Sequence, residues 1–443
     1  MVLKNITHNN MDLNKIFVIE SRKGILLINS ENAEMLAVDK KDVNNVVESM
    51  KNENNESIEI FCKPLLSKDI IETEICSCKS IAIIPTFKCN FACEYCFEKD
   101  YEKKEMTLEM VHYIKMFIEQ WNLEMNCSAS YDEIGLMGGE VFREENRPLM
   151  ETIFTEFGYK QYKVTTNGAN ILLFEDIIKK YRPLVAVSLD GTEQMQLSRR
   201  KTGIEDVYKK IIEGIKFLVS EKIEIEINVV FNPDFDVKEY VNFMDELESL
   251  GWLHNHNMKV IMNIELGPGI RGCEKERFLF SVKKFEELLL LDDRAKKIYR
   301  DMIPGASRLE NVLMYKRETG KVISSYCMAN TAEGFIFEPD GYVYNCNLIN
   351  KEENRIGQFF PKIELYKNII ESYRKRSAFS IQQCAKCSMK LFCGGGCPSS
   401  SITQYGSIDK GFCGIWKNQE ILSYIGMGVN VEKLYEMARK YEK

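Results

Sequence analysis

Histidine and tryptophan are scarce in this 443-residue chain, which contains four histidines and three tryptophans. Imidazole is a common ligand of transition metals, so four histidines direct attention to other donors. An apolar run of the roughly 20 residues that span a bilayer is missing, and the polar start lacks the apolar core of a signal peptide. We therefore expect a cytoplasmic protein with no membrane partner.

A strong excess of one charge is also missing. The formal net charge is -7, and acidic and basic residues are interspersed along the chain. A basic stripe that would attract phosphates is not seen, so we expect no nucleic-acid partner. The length is sufficient for two or three domains.

Cysteine, in contrast, is abundant, with fifteen residues. The cytoplasm keeps thiols reduced, so metal binding explains this number better than disulfides do. Three cysteines lie within eight residues: Cys89, Cys93 and Cys96. A [4Fe-4S] cluster takes one ligand per iron, so three thiolates would leave one iron open to a small molecule. The alternative is that these are buried packing cysteines.

Residues 1–75 are rich in Asn, Lys and Glu. Two short apolar runs, 16–19 and 24–28, predict a β-hairpin. Helical periodicity follows at about 31–37 and 41–50. These elements are typical of a small winged-helix-like module, and a simple packing lobe would have the same make-up.

Residues 76–265 alternate between strand and helix patterns. Strands are predicted at 81–85, 134–137, 162–166, 184–189, 224–231 and 259–264, and helices between them at 108–121, 171–181, 204–219 and 237–250. Successive βα units imply a parallel sheet, because each helix returns the chain to start the next strand in the same direction. We therefore predict an α/β fold with a partial (β/α)6, TIM-like barrel. Residues 266–310 are interpreted as a bridge and 311–443 as a C-terminal domain.

Chemistry in such a barrel belongs at the C-terminal ends of the strands. The unusual segments of this chain follow strands one to four in order: the three-cysteine loop, Gly138-Gly139-Glu140, Thr166-Asn167-Gly168 and Ser188-Leu189-Asp190-Gly191. Each segment alone could be an ordinary turn. Their order favours a shared site.

The three-cysteine loop resembles the Cys-x3-Cys-x2-Cys signature of radical S-adenosylmethionine (SAM) enzymes. The resemblance implies that the three thiols hold a [4Fe-4S] cluster whose open iron binds SAM. It also implies a set of SAM-contacting residues, in which Arg200 is the alternative to Arg199 for the carboxylate. That set comprises Tyr95 near the adenine, Gly138, Gly139 and Glu140 for the amine, Ser188 and Asp190 on the ribose side, Arg199 for the carboxylate, and Asn167.

A second group of cysteines occupies the C-terminal part of the chain. It consists of Cys327, Cys346, Cys384, Cys387, Cys393, Cys397 and Cys413. One tetrahedral zinc would use four of these thiols and leave three unexplained. The spacing resembles the seven-cysteine SPASM domain, which is an auxiliary iron–sulfur (Fe-S) domain of radical SAM peptide-modifying enzymes.

That resemblance implies two auxiliary [4Fe-4S] clusters, and so three clusters in the chain. Cys384, Cys387, Cys393 and Cys413 would hold the second auxiliary cluster, and Cys327, Cys346 and Cys397 the first. The first is then one thiol short. Cys127, Cys273 or a cysteine of the substrate could supply the missing ligand.

The combination resembles the maturases of ribosomally made peptides (RiPPs) that form thioethers in sactipeptides and ranthipeptides. The resemblance implies that a 5'-deoxyadenosyl radical abstracts hydrogen from a precursor peptide, whose cysteine sulfur then bonds to carbon. Residues 1–75 would bind the leader sequence, and flavodoxin or ferredoxin would supply electrons. The sequence assigns no catalytic base.

Three other functions remain open. A carbon–carbon crosslinking peptide cyclase of the same family would need no substrate thiol. A sulfatase-maturating, formylglycine-forming oxidase has an Asp where this chain has Asn347, which argues against that function. A zinc-binding scaffold protein would be of a different class altogether.

Overall fold

A computed structural model describes most of the chain. The described residues are 16–29, 32–45, 73–74, 80–126, 131–158, 160–264, 275–297, 306–331, 334–346, 352–387, 389–413 and 430–440. Cys127 and Cys273, two candidates for the missing ligand, lie outside these ranges. The described residues fall into two compact units. The first is drawn from Met1–Cys76, Ile303–Asn330 and Lys375–Lys443, and the second from Ser77–Met302 and Thr331–Arg374.

The strands are short, and most lie in the second unit. They are β1 (Ile16–Glu20), β2 (Gly24–Asn29), β3 (Met35–Asp39), β4 (Thr73–Glu74), β5 (Ser80–Ile83), β6 (Ala92–Cys93), β7 (Glu133–Leu136), β8 (Gln161–Thr166), β9 (Leu184–Ser188), β10 (Arg200–Lys201), β11 (Ile225–Phe231), β12 (Met258–Ile264), β13 (Val322–Ile323), β14 (Ile336–Phe337), β15 (Tyr342–Tyr344), β16 (Arg355–Gln358) and β17 (Glu364–Leu365).

The α-helices separate the strands of the second unit and also complete the first unit. They are α1 (Leu108–Met125), α2 (Arg147–Phe157), α3 (Glu175–Tyr181), α4 (Glu193–Arg199), α5 (Val207–Ser220), α6 (Val237–Ser249), α7 (Lys275–Leu291), α8 (Ala306–Thr319), α9 (Lys367–Lys375), α10 (Lys390–Cys393), α11 (Pro398–Tyr405) and α12 (Val431–Lys440).

A ten-stranded sheet is the centre of the second unit. Its order is β12-β11-β9-β8-β7-β5-β14-β15-β16-β17. Pairing is parallel from β12 to β14 and antiparallel from β14 to β17. The six parallel strands predicted from the sequence are confirmed, and they lie side by side in chain order. Their C-terminal ends therefore meet at one edge of the sheet.

Helix α1 covers one face of this sheet. Thr107 caps its first turn by accepting a hydrogen bond from Met110 N at 3.4 Å. The buried rings of Phe117 and Trp121 lie on α1 and make edge-to-face contacts with Phe335, 5.8 and 4.9 Å between centroids. Such aromatic pairs add stability beyond the area that they bury. Phe335 directly precedes β14, so these contacts hold the start of β14 against α1, and β14 also pairs with β5.

The four strands from β14 to β17 extend the sheet beyond the six predicted strands. Each has two to four residues, from Ile336–Phe337 to Arg355–Gln358. Runs this short have too few residues for a recognisable alternation of polar and apolar positions. Residues 331–374 accordingly belong to the second unit, whereas sequence patterns alone group them with the C-terminal cysteines.

The first unit contains a three-stranded antiparallel sheet in the order β1-β2-β3. The predicted hairpin is confirmed, with Val18 paired to Leu27. The predicted helix at 31–37 is wrong, because Met35–Asp39 is strand β3 paired with β2. Its run of four apolar residues fits either state, and pairing with β2 satisfies the backbone of the strand. Residues 43–45 are helical, and the rest of the predicted helix at 41–50 lies outside the described residues.

Helix α12 packs on β2 and β3 of that sheet. Leu434 and Ala438 are fully buried there, and the Tyr435 hydroxyl donates to Asp39 at 2.8 Å. Helix and sheet thus bury their apolar faces against each other. Among the helices that the structure describes, none combines the length and the hydropathy needed to cross a bilayer.

Candidate functional site

The three-cysteine loop leaves the sheet directly beyond β5. Phe87 and Phe91 of this segment are buried, whereas Cys89 is exposed and Cys93 and Cys96 are partly exposed. The two rings anchor the loop to the protein. The thiols are consequently left at the surface of the loop, where a cofactor can reach them.

The two glycines after β7 press against that loop. A Cβ atom at Gly139 would lie 2.2 Å from the carbonyl oxygen of Lys88, and one at Gly138 would lie 2.3 Å from Ile84 Cγ2. Gly138 also has a φ of +96°, in the region that glycine adopts without strain. The Glu140 N–H donates to the same Lys88 carbonyl at 2.9 Å. Only glycine permits this contact between the two loops.

Glu140 is buried and joins the ends of two strands. Its carboxylate accepts hydrogen bonds from the Thr166 hydroxyl at 2.6 Å, the Asn167 N–H at 2.8 Å and the Phe142 N–H at 2.8 Å. Burial raises the pKa of this carboxyl group, while the hydrogen bonds act in the opposite direction. Through these contacts Glu140 links the segment that follows β7 to the end of β8. Binding of the SAM amine by Glu140 stays a prediction.

Two N–H groups are directed at the thiol of Cys89. The Phe91 N–H donates to its sulfur at 3.3 Å, and the Asn167 amide nitrogen lies 3.9 Å away. Asn167 also donates to Asn90 Oδ1 at 2.7 Å, which links the end of β8 to the cysteine loop. N–H groups directed at sulfur are among the features that tune protein-bound iron–sulfur clusters. Sequence reasoning chose Asn167 without anticipating this contact.

Asp190 lies two residues beyond the end of β9 and is fully buried. It binds the two arginines of the site. Its carboxylate accepts from Arg200 Nε at 3.0 Å, Arg200 Nη2 at 3.2 Å and Arg199 Nη1 at 3.3 Å. The Tyr95 hydroxyl donates to it as well, and the Val230 N–H donates at 3.0 Å. Burial raises the pKa of Tyr95, and Asp190 raises it further. Four predicted or alternative SAM residues are thus in mutual contact.

Ser188 ends β9 beside this group. It pairs with Asn228 of β11, and its carbonyl accepts from the Gln196 amide at 3.3 Å. The same Gln196 accepts from the Asp190 N–H at 2.8 Å through its Oε1 atom. Gln196 therefore holds the turn that presents Asp190. The ribose-side roles of Ser188 and Asp190 stay predictions.

Four of the C-terminal cysteines line one cavity of about 260 Å³ in the first unit: Cys384, Cys387, Cys393 and Cys413. These are the four thiols that the SPASM resemblance implies as ligands of one auxiliary cluster, and the first and last of them are 29 residues apart in the chain. Burial raises the pKa of Cys393 to about 12, so metal binding has to displace its proton. Cys327 and Cys397 belong to the same unit, whereas Cys346 belongs to the second.

Two arginines that carry no sequence signature hold the loops around these thiols. Arg376, which is 3% exposed, donates to the carbonyls of Gly395 and Gly396, both at 2.9 Å. Arg308 donates to the carbonyls of Phe392 at 2.5 Å and Ser325 at 2.7 Å. Sequence reasoning missed both, because an arginine that binds distant carbonyls leaves no local pattern. Their positive charges suit a site that would hold anionic metal–thiolate clusters.

Two buried glutamates of the second unit were also missed. The Glu98 carboxylate accepts from the Gly139 N–H, and burial raises its pKa to about 7. Glu338 directly follows β14, and burial raises its pKa to about 9, with Asp340 and Glu98 adding to the effect. Glu98 is therefore a further tie between the cysteine loop and the glycines after β7.

The donor chemistry of these sites fits iron–sulfur clusters. The described cysteines are not joined in disulfides, as cluster ligands require. N–H groups are directed at Cys89 and at Cys387, and the Met389 nitrogen lies 3.4 Å from the Cys387 sulfur. Within the described ranges, no three His, Cys, Asp or Glu side chains are grouped as ligands of a single metal ion. The thiols of the first loop would hold the cluster that takes SAM.

No family model matches the chain. Curated relatives are nevertheless detectable over most of its length. A cysteine-type anaerobic sulfatase-maturating enzyme of Clostridium novyi is 24% identical over 368 residues, covering 74% of this chain and 91% of that enzyme. The radical SAM cyclopropyl synthase TigE of Paramaledivibacter caminithermalis is 24% identical over 377 residues, covering 76% and 72%.

Solved structures share the fold. The enzyme anSMEcpe with bound AdoMet superimposes with a TM-score of 0.57 at 19% identity, covering 82% of this chain and 99% of that one. SuiB of Streptococcus suis bound to S-adenosylmethionine gives a TM-score of 0.50 at 13% identity, covering 89% and 97%. Together with the three-cysteine loop, these relationships identify the chain as a radical SAM enzyme that resembles the peptide maturases.

Proposed function

We propose that this enzyme matures a ribosomally made precursor peptide by forming an intramolecular thioether between a cysteine sulfur and a carbon atom. The observation that carries the proposal is the presence of two separate groups of cysteines. Cys384, Cys387, Cys393 and Cys413 line one cavity, in addition to the three-cysteine loop beyond β5. Auxiliary clusters in addition to a SAM-binding cluster would provide a ligand site for a substrate thiol and an acceptor for the electron that the reaction releases.

The architecture behind this proposal has three parts. Six parallel strands in chain order would form the partial (β/α)6 barrel, and the cysteine-lined cavity would belong to the SPASM domain. The sheet β1-β2-β3 would be part of the winged-helix-like module that binds the leader. An extended leader could add a strand to an exposed edge of that sheet. An enzyme of this type would work in the cytoplasm with flavodoxin or ferredoxin as electron donor.

When bound, the reduced cluster would supply the electron that cleaves SAM and so gives the radical that takes hydrogen from the peptide. The chain's own residues would orient the reactants. Gly138 and Gly139 let the backbone approach the cysteine loop, and Glu140 fixes that approach by bonding to the end of β8. The buried Phe87 and Phe91 exclude water from the base of the loop.

A thioether product would account for the ligand set that the SPASM resemblance implies for the first auxiliary cluster. Cys327, Cys346 and Cys397 would supply three thiols, and the peptide cysteine would be the fourth ligand. Iron coordination deprotonates a thiol, which keeps its sulfur in place for bond formation. The reaction balances when the carbon atom loses a hydrogen atom to the SAM-derived radical, the sulfur loses a proton and one electron passes to an auxiliary cluster.

The relatives support a peptide substrate. The C. novyi relative is named as an enzyme that matures a sulfatase. The enzyme anSMEcpe has been solved with AdoMet and a Cp18Cys peptide, and it superimposes on this chain with a TM-score of 0.56. A cysteine-containing peptide therefore fits the class of substrate. The thioether itself is our inference from the ligand set.

The test uses anaerobically reconstituted enzyme and precursor peptides encoded near its gene. We expect a product lighter by two hydrogen atoms, with a new sulfur–carbon bond in its fragment spectrum. A peptide with every cysteine changed to alanine should give neither the product nor a change in the auxiliary-cluster spectrum. A crosslinked product from the alanine peptide would refute thioether formation and favour the carbon–carbon cyclase.

Sulfatase maturation is the second candidate, because a sulfatase-maturating enzyme is among the curated relatives. Asn347 occupies the position where that branch has its Asp. We expect no formylglycine from a sulfatase-derived cysteine peptide, and its appearance would favour this second function.

Deleting residues 1–75 tests the leader module separately, since unchanged affinity for the precursor would refute a role in leader binding.

A further inference from the structure

Two adjacent arginines at the end of α4 occupy different positions relative to the cysteine loop. Arg200 begins β10, which pairs antiparallel with β6 so that Arg200 lies opposite Cys93. The Glu94 N–H donates to the Arg199 carbonyl at 3.1 Å and closes the same short ribbon. This pairing brings Arg200 Nη1 to 3.9 Å from the Cys93 sulfur.

The guanidinium of Arg200 is held in this position from behind. Asp190 accepts from its Nε and Nη2 atoms at 3.0 and 3.2 Å, which fixes the plane of the group at two points. Asp190 is itself fixed by the Val230 N–H and, through its own N–H, by Gln196. Arg200 is 7% exposed and Asp190 fully buried. The third nitrogen therefore has little freedom to turn away from the sulfur.

Arg199 has a different environment. Its Nη1 atom donates to Asp190 at 3.3 Å and to the Val230 carbonyl at 2.5 Å. Its guanidinium carbon lies 4.4 Å from the centre of the Tyr95 ring. Both arginines contact Asp190 and the Tyr95 ring, since the guanidinium carbon of Arg200 lies 5.2 Å from the ring centre. The Arg199 guanidinium differs in donating to β11. The two arginines make a matched pair for experiment.

A positive N–H donor beside a thiolate ligand stabilises the reduced, more negative state of an iron–sulfur cluster, and so raises its reduction potential. We propose that Arg200 donates to the Cys93 thiolate of the SAM-binding cluster and raises the potential of that cluster, with Asp190 positioning the guanidinium. The proposal rests on that cluster and is independent of which product the enzyme makes.

The experiment compares wild type with Arg200→Gln, Arg200→Lys and Arg199→Gln after anaerobic reconstitution. Redox titrations without SAM are followed by electron paramagnetic resonance, and the relevant signal is the one that changes when SAM is added. We expect Arg200→Gln to lower the midpoint potential of that cluster and to leave the auxiliary clusters unchanged. Arg200→Lys, which keeps the charge but loses the planar fork, should give an intermediate potential.

Arg199→Gln removes one arginine from the same aspartate, and the midpoint potential of the cluster, measured without SAM, should stay close to the wild-type value. The signal is assigned from the wild-type protein, because Arg199 is itself a predicted SAM contact. An unchanged potential in Arg200→Gln, or an equal shift in Arg199→Gln, would overturn the proposal. If Arg200→Gln takes up no iron, Arg200→Lys tests the proposal instead. The midpoint potential of its SAM-binding cluster must then lie below that of Arg199→Gln. A wild-type protein with no SAM-responsive cluster would refute the cluster itself, whereas failure to make a thioether would leave the role of Arg200 intact.

Discussion

Single residues of this protein show how burial changes acid–base behaviour. Glu338 is fully buried beyond β14 and is affected by Asp340, Glu98 and Arg355. Burial raises its pKa to about 9, because the charged form loses its hydration. A carboxyl group of this kind holds a proton at neutral pH in the folded protein and releases it on unfolding.

This residue should make stability depend on pH. The folded protein binds one more proton at Glu338 than the unfolded chain between pH 4.5 and about 9, so the free energy of unfolding should fall as pH rises through that range. Glu338→Gln should weaken this dependence. Urea denaturation of the apoprotein at several pH values measures it. Glu364→Gln, at an exposed position paired with Lys362, is the control, and equal pH dependence in all three proteins would contradict the prediction.

Gly139 gives a second prediction for a single residue. Gly139→Ala places a methyl group 2.2 Å from the Lys88 carbonyl, so the two loops have to separate. We expect SAM binding to the reconstituted enzyme to weaken at least about tenfold, the change that about 1.4 kcal/mol produces. Equilibrium dialysis measures the affinity.

The control for that change is Gly203→Ala, where nothing lies within 4 Å of the added Cβ. Its affinity for SAM should equal that of wild type. An unaltered affinity in Gly139→Ala would show that the contact between the loops does not matter for the cofactor.

At the scale of elements, the packing of α12 on β2 and β3 joins the two ends of the sequence. Leu434→Ala removes a fully buried side chain from this contact, at a cost of about 2–5 kcal/mol. Hydrogen exchange in β2 and β3 should become faster, and leader affinity should fall. Lys433→Ala, at an exposed position on the same helix, should change neither quantity. Faster exchange confined to α12 would contradict the prediction.

Elements also show where sequence patterns succeed and where they fail. The six parallel strands were predictable because each contains several apolar or alternating residues, as in the pattern of β8. Strand β3 was mistaken for a helix because its four consecutive apolar residues fit either period. Strands β14 to β17 were missed because they are short, and pairing with neighbours rather than their own sequence makes them strands.

At the scale of the whole molecule, the cysteine groups predict how much iron the chain binds. Three [4Fe-4S] clusters correspond to about twelve iron atoms per chain. Replacing Cys89, Cys93 and Cys96 by alanine should remove about four of these atoms, and so should replacing Cys384, Cys387 and Cys393. Iron and sulfide analysis after anaerobic reconstitution measures both.

A cysteine outside both groups provides the control for that count, and Cys62→Ala should keep the full iron content. The two triple variants should differ in their spectra, because SAM should perturb only the cluster of the first group. A protein that takes up zinc and little iron would refute all three clusters and support the scaffold protein instead.

The sequence by itself determined the spacing of the cysteines, the glycines at 138 and 139 and the order of the parallel strands. These features are local, because a ligand spacing or a tight approach of the backbone is set by neighbours in the chain. The candidate site residues could therefore be chosen before any fold was known. Their assignment to particular atoms of SAM stays a prediction.

The tertiary structure decided which of those residues meet. Cys413 joins Cys384 in one cavity, and Asp190 binds both arginines together with Tyr95. Arg308 and Arg376 became visible only through the carbonyls that they bind. Such contacts join distant parts of the chain, and their partners are chosen by packing and by the need to satisfy buried polar groups. That is the physical reason why the three-cysteine loop could be found in the sequence, whereas the position of Arg200 beside the second thiol of that loop could not.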